Sequence, residues 1–497
     1  MAIFHAFLVC AGLAALYLLS KIIYNIFFHP LRAYPGPFTH AASRIPYCVH
    51  LCAGRLPFHV HELHARYGPI VRIAPDELAI SGAGSANASS TRGHHHGAAE
   101  FQKWPHFYKP VPAAALNDII TAPREEHALL RRALSHGFSD RSMREQEPLI
   151  AKYIDLLIAR LRERACADGT TSPPAVDIMA WYNYTTFDVI GDLAFGEAFG
   201  CLESSDYHPW VKAIFQLSKG GVVMQTASFF PGLTAAILRC VPEKAKRSRE
   251  EHFALTMAKL ERRVALGKER PDLIEGLLKK REEWNMPMTH LQGNASTLII
   301  AGSETTASLL SGVTFLLLKH PHALAKLTEE VRSAFKSEDD ININSVGQLK
   351  YMLACLDEAL RLYPPTPVGL PRVVSKGGAT IVGNYVPENT VVAIHMWATY
   401  RDETNFTKPL EFHPERHLGD PRFAADKLEA FQPFHVGPRA CLGRNLAYAE
   451  MRIILARVIY NFDMKLAEGS EHWIDNQKVY FLWEKGPLYV HLTQVKR

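Results

Sequence analysis

The stretch Phe434-His435-Val436-Gly437-Pro438-Arg439-Ala440-Cys441-Leu442-Gly443 sets one cysteine between two glycines, with Arg439 two positions before it and Phe434 seven before. Gly437 permits a sharp turn, Pro438 restricts the backbone, and Gly443 removes a side chain just beyond the sulfur. Such a loop points its cysteine rigidly at something large. One thiolate cannot complete the tetrahedral set of a structural zinc site, but it can be the single protein ligand of a haem iron. In that chemistry Arg439 stands beside a haem propionate, Phe434 shields the sulfur, and N–H groups of the following helix temper its charge. A lone cysteine is ordinarily one more small buried residue. Five fixed identities at fixed spacing around Cys441 argue against that bland reading.

A second constellation lies in Leu291 to His320, a long helix of Leu, Ile, Ala and Val interrupted at its centre by Ala301-Gly302-Ser303-Glu304-Thr305-Thr306. Polar residues inside so apolar a helix cost stability unless satisfied, so they ask for a use. Gly302 allows a flat ligand to approach the backbone, the Thr305 hydroxyl competes for an intrahelical carbonyl, and Glu304 feeds protons through water. Dioxygen activation needs this set, because two protons must arrive with the electrons. Two further pairs share helix faces. His127 and Arg131 lie four apart in the amphipathic stretch Arg124 to Phe138, where a solvated basic face is the ordinary alternative. Glu358 and Arg361 lie three apart in Tyr351 to Tyr363, a helix stopped by Pro364-Pro365, and such a pair on a surface is worth little.

These stretches, in this order, resemble the cytochrome P-450 family of haem-thiolate monooxygenases. The loop satisfies the family pattern F-x-x-G-x-R-x-C-x-G at every fixed position, with His435 where many relatives carry Ser or a similar small residue. Ala301 to Thr306 matches the oxygen-activation motif A/G-G-x-D/E-T-T/S. The resemblance implies that Cys441 is the axial ligand of haem b, that His127, Arg131, Arg372 and Arg439 reach its propionates, and that Glu304 and Thr305 carry protons. It makes Glu358 and Arg361, with Arg416 of Phe412-His413-Pro414-Glu415-Arg416-His417, a structural lock; His417 replaces an aromatic residue often found there. Details around Tyr182 to Gly200 and Trp397 to Asp402 are similar to filamentous-fungal microsomal members, many of which tailor polyketides, terpenoids or alkaloids. The implied fold is mainly α with small β-sheet regions. The implied partners are an NADPH-dependent cytochrome P-450 reductase, cytochrome b5 as an optional second donor, O2, a hydrophobic small molecule and membrane lipid. Alternatives are a haem-thiolate isomerase or peroxygenase, against which the Glu304-Thr305 pair argues, and a non-catalytic haem carrier, which leaves that pair without a use.

The chain's bulk properties agree. Across 497 residues, 47% hydrophobic content supports a large core, and no polar or Gly/Ser-rich linker divides it. A net charge of +5 suits an anionic membrane surface or an acidic redox partner and is too small to indicate nucleic acid. No Rossmann fingerprint is present, so reducing power comes from another protein. Eight cysteines without a framework fit a reducing compartment, and Cys48 and Cys52 have no downstream pair for zinc. Sequons at Asn87, Asn183, Asn294 and Asn405 read as chance, and His94-His95-His96 as a solvated loop in the poorly patterned Ser81 to Gly97.

Ile3 to Ser20 is apolar apart from His5, the run resumes through Phe28, and Lys21 and Arg32 follow its strongest part. That pattern predicts a membrane anchor over 1–29, single-pass in the endoplasmic reticulum, with a catalytic domain over 30–497 in the cytosol. Pro30 and Pro35-Gly36-Pro37 form a stiff elbow.

The remaining elements position the site. Val60 to Tyr67 predicts a helix, 70–74 and 78–80 strands, and 147–164, 178–195 and 244–268 helices. Residues 205–245 read as an apolar roof whose Phe229, Phe230 and Leu233 dip into the membrane. Val368 and Leu370 are candidate substrate contacts on the path to Arg372. Val373, Ile381 and Val391-Val392 predict short antiparallel strands, Arg444 to Tyr460 a helix, and 479–482 with 488–490 a terminal hairpin.

Overall fold

The computed structural model describes residues 1–82, 101–110, 118–165, 174–267 and 270–496. The His94-His95-His96 run, Cys166 and the Asn87 sequon lie outside the described residues. The chain forms two compact units, one from Met1–Phe107, Pro367–Pro409 and Ala425–Arg439, the other from Tyr108–Thr366, Leu410–Ala424 and Ala440–Arg497.

In the first unit, helix α1 (Ala2–Ile23) continues through one π-helical turn to Phe28. Within Ile3–Phe28 the most apolar window has a mean hydropathy of 2.1, and none of it is buried. The elbow after it is fastened to strand β1 (Ile70–Ala74). A side chain at Gly36 would come within 2.5 Å of the Arg72 carbonyl oxygen, so only glycine lets the two backbones meet. Arg72 donates its N–H to the Pro35 carbonyl at 2.7 Å, and its buried guanidinium reaches the Asn25 carbonyl at 3.0 Å.

Strands β2 (Glu77–Ile80), β3 (Gln102–Lys103), β4 (Arg372–Val373) and β5 (Val391–Ile394) complete a sheet of order β1-β2-β5-β4-β3. Its core holds Leu31, Ile70, Leu78, Ile80 and Val392. Strands β4 and β5 pair antiparallel as read, whereas β2 pairs with β5 in parallel. Parallel neighbours need a long crossover, and some three hundred residues of intervening chain supply it. Ala379–Ile381 and Asn384–Val386 make a separate two-stranded ribbon. The helix expected from Val60 starts at Leu56, with Pro57 in its first turn, and ends at Tyr67 as read.

The second unit is helical. Helix α2 (Arg124–Ser135) tightens into a 3₁₀ turn through Phe138. The next helix, Asp140–Arg162, begins seven residues before its expected start. Ser139 caps it by accepting the Ser142 N–H, and it runs on through Pro148, the residue that masked its first turns in sequence. Every residue of α3 (Ile178–Phe195) is buried, and Gly196 closes it in the left-handed conformation. Helix α4 (Pro209–Ser228) precedes Pro231–Cys240 and Glu243–Ala265. Leu233 is exposed, while Phe229 and Phe230 are half-buried.

The long α5 (Met288–Lys319) packs along α3, where the Tyr182 hydroxyl lies 2.9 Å from that of Thr314. Helices α6 (Lys350–Leu362) and α7 (Arg444–Asn461) match the reading within two residues. Strands β6 (Lys478–Tyr480) and β7 (Leu482–Glu484) form a hairpin around Phe481. Strand β8 (Tyr489–Gln494) lies instead between Ala175–Asp177 and Phe462–Leu466. The expected hairpin of 479–482 with 488–490 is thus corrected: positive φ at Phe481 turns the chain at once, and Gly486-Pro487 carries it to another sheet. Three sequon asparagines, Asn183, Asn294 and Asn405, are buried, in keeping with chance occurrence.

Candidate functional site

Gly443 caps the N-terminus of α7, two residues after Cys441. Its N–H bonds the Cys441 sulfur, as a helix start should hold a thiolate. Burial pushes the thiol pKa up, outweighing that bond and the charges of Arg131 and Arg444. Cys441 nevertheless keeps exposed surface, so the sulfur is surrounded by protein yet faces open space. The loop before it is held from α2. His127 is buried there, and Arg131 one turn on donates from Nη1 to the Ala440 carbonyl at 2.7 Å. The solvated alternative for this pair does not hold.

Helix α5 is mostly buried, but Thr297, Ile300, Ala301 and Thr305 keep open surface at helical spacing. They form one accessible stripe. The Thr305 hydroxyl donates to the Ala301 carbonyl at 2.6 Å, the intrahelical competition its sequence context predicts. Gly302, which also keeps some open surface, lies against α3 as well. A side chain there would come within 2.7 Å of the Ile190 side chain, so its bareness serves the α3–α5 contact.

Glu304 is buried beside the stripe and does not bond Thr305. Its Oε1 pairs with the ammonium of Lys485, which also donates to Ser308 Oγ at 2.7 Å. No spacing rule could reveal Lys485, which is 181 residues away.

Glu358 is fully buried and is gripped by Arg361 through Nη2 to Oε1 at 2.7 Å and Nε to Oε2 at 2.9 Å. Arg416 Nε reaches Oε2 at 3.2 Å, and the His413 backbone N–H donates to Oε1 at 3.1 Å. Burial alone would raise this carboxyl, but the Arg361 charge and bond, the His417 bond and the Arg416 charge hold it far below the usual range. His417, seen in sequence only as a departure, is a fourth partner, with Nε2 at 3.1 Å from Oε2. Its position beside Arg416 is the signal that could have found it.

The remaining site residues belong to the first unit. Arg372 is buried on β4, Val368 is buried and Leu370 half-buried. Arg439 ends a 3₁₀ turn from Gly437, and Phe434 is half-buried. His435 adopts φ of 61°, a conformation few side chains accept. Burial, then the charges of Arg372 and Lys103, lower its pKa, which places the loop's histidine beside the β4 arginine.

The residues fit a haem. Among the described residues no group of three or more His, Cys, Asp or Glu side chains could hold a metal ion by itself. A metal held by Cys441 would draw its other ligands from a macrocycle such as a haem, and would favour the thiolate over the thiol that burial favours. The exposed sulfur face and its Gly443 N–H suit that role.

A family model described as Cytochrome P450 matches residues 40–492. The chain is 49% identical over 482 residues to "Cytochrome P450 monooxygenase tpeC" of Talaromyces stipitatus, covering 97% of this chain and 93% of that protein. It is 43% identical to "Trichothecene C-15 hydroxylase" of Fusarium sporotrichioides, covering 97% of this chain and 96% of the relative. It is likewise 43% identical to "Averantin hydroxylase" of Dothistroma septosporum, with 97% and 90% covered.

Proposed function

The chain belongs to the cytochrome P450 family, and from that premise we propose that it is a haem-thiolate monooxygenase acting on a hydrophobic small molecule of fungal secondary metabolism. It inserts one oxygen atom of O2 into a C–H bond or across a double bond. Hydroxylation is favoured, since two relatives are named hydroxylases. The substrate is a polyketide, terpenoid or alkaloid, in line with the resemblance to fungal microsomal members. The observation that carries this reading is Cys441, its sulfur open on one side and bonded by the Gly443 N–H on another.

As the family resemblance implies, Cys441 would ligate haem b, His127, Arg131, Arg372 and Arg439 would hold its propionates, and Phe434 would shield the sulfur. Haem bound through a thiolate supplies the redox chemistry that cleaves dioxygen. The chain's own residues do the rest. The Thr305 hydroxyl spends its proton on Ala301 and so offers lone pairs to hold a water at the open stripe. Ile300 and Ala301 give that stripe its apolar character and favour a substrate that excludes water. Glu304 supplies the proton carrier. Arg361, Arg416, His413 and His417 lock Glu358 and so brace the chain on either side of α6.

Residues 1–29 anchor the chain in the endoplasmic reticulum membrane by a single pass, and 30–497 form the cytosolic catalytic domain. Electrons come from an NADPH-dependent reductase, with cytochrome b5 as an optional donor. The test is a reduced carbon monoxide difference spectrum on membranes carrying the whole chain. A red-shifted thiolate-type Soret band, lost in Cys441→Ala, is expected. A folded protein without a haem signal overturns the reading.

A further inference from the structure

Glu304 and Lys485 form an ion pair that is nearly sealed from solvent, with 2% and 3% of their side chains exposed. Burying two charges is costly unless both are well bonded, so such a pair inside a catalytic helix calls for a function. Lys485 meets that demand only halfway. Its ammonium serves Glu304 Oε1 and Ser308 Oγ, whereas Glu304 Oε2 is buried with no hydrogen-bond partner among the described residues.

The lysine is itself rigidly placed. Two residues before it, Trp483 donates from Nε1 to the Pro364 carbonyl at 2.8 Å and stacks on Tyr363 with centroids 4.5 Å apart. One residue after it, the Gly486 carbonyl accepts Trp473 Nε1 at 2.8 Å. Its neighbour Glu484 pairs with Lys219 of α4 at the surface. The last residue of β7 and the one after it thus fasten to α4 and to α5.

We propose that Lys485 is a positioning residue for proton supply: it fixes Glu304 through Oε1 and leaves Oε2 as the one atom that takes up a proton from water and passes it on toward Thr305. Lys485 passes on no proton of its own, and each proton that enters at Oε2 leaves from Oε2. The groups facing this carboxylate from neighbouring elements are Lys485 beyond β7, Tyr207 before α4 and Tyr363 after α6, with Ser308 on α5 itself. Both tyrosine hydroxyls are pushed up by burial first and by the Glu304 charge next, so both stay neutral and neither supplies the positive charge that Lys485 brings. This inference rests on the monooxygenase reading.

The test uses the full-length haem-loaded chain as wild type, Lys485→Arg, Lys485→Met and the double variant Lys485→Met with Glu304→Gln. Infrared spectra at neutral pH should show a protonated carboxylic acid in Lys485→Met that is absent from wild type and Lys485→Arg and is removed in the double variant. With reductase and NADPH, the acid limb of the pH profile of NADPH oxidation should move up by about one unit or more in Lys485→Met and return in Lys485→Arg. If Lys485→Met alone fails to fold, the double variant, which buries no charge, should fold and lack that limb. A thiolate-type wild-type spectrum together with no new infrared band and an unmoved profile overturns the inference alone. A wild type without that spectrum overturns the functional reading it rests on.

Discussion

Arg131 on α2 donates to the carbonyl of Ala440, 309 residues later and immediately before Cys441. One guanidinium therefore ties the entry of the cysteine loop to a helix formed early in the chain. A hydrogen bond from a charged donor contributes about 1.5–3 kcal/mol. Arg131→Ala should lower haem occupancy, read as thiolate-type absorbance per mole of folded protein, with Arg131→Lys retaining only part because it lacks the planar fork. Equal occupancy in all three proteins would contradict the assigned role.

Removing Arg361 leaves Glu358 buried with too few partners, which costs about 3–5 kcal/mol. Arg361→Ala should yield haem-free, aggregation-prone protein, while His417→Phe should lower the melting temperature by less. The pH dependence follows from the depressed Glu358 pKa. Between its folded value and 4.5 the unfolded chain binds more protons, so the stability is present above pH 4.5 and is lost on acidification below it. Glu358→Gln should flatten that acid limb in urea titrations across pH.

Glu450 on α7 behaves in the opposite sense. Burial raises its pKa from 4.5 to about 8. Over that window the folded state holds a proton the unfolded state has lost, so stability falls by about 1.4 kcal/mol per unit as pH rises. Above about pH 8 the slope ends. Glu450→Gln should therefore be more stable than wild type at pH 8 and show no such slope, as calorimetry at several pH values would reveal.

Thr305→Ala removes the hydroxyl that bonds Ala301. Haem and carbon monoxide binding should be unchanged, whereas peroxide released per NADPH with reductase should rise and product formation fall about tenfold or more. Unchanged coupling would remove Thr305 from the proton route.

Deleting residues 1–29 takes away a helix whose strongest apolar window has none of its surface buried by the rest of the chain. The truncated protein should move from the membrane pellet to the supernatant and keep its thiolate-type spectrum. Persistence in the pellet at high salt would point to another membrane contact, with the exposed Leu233 as the first to replace.

The cysteine loop, the polar break in α5, the Glu358-Arg361 spacing and most helix bounds were legible in sequence because each depends on residues within a turn or two of one another. Steric limits at Gly and Pro and the 3.6-residue helical period are local properties. The apolar N-terminal helix was legible for the same reason, since an apolar run needs no partner to be read.

What only the tertiary structure decided is which distant groups meet. Lys485 reaches Glu304 from 181 residues away, His417 joins the Glu358 cluster, Ile190 takes the space at Gly302, and β8 leaves the hairpin for another sheet. A buried carboxylate demands a cation, and a bare helix face demands a neighbour, but neither demand names who answers it. That choice depends on how whole elements pack, and packing is a property of surfaces brought together by the fold rather than of spacing along the chain.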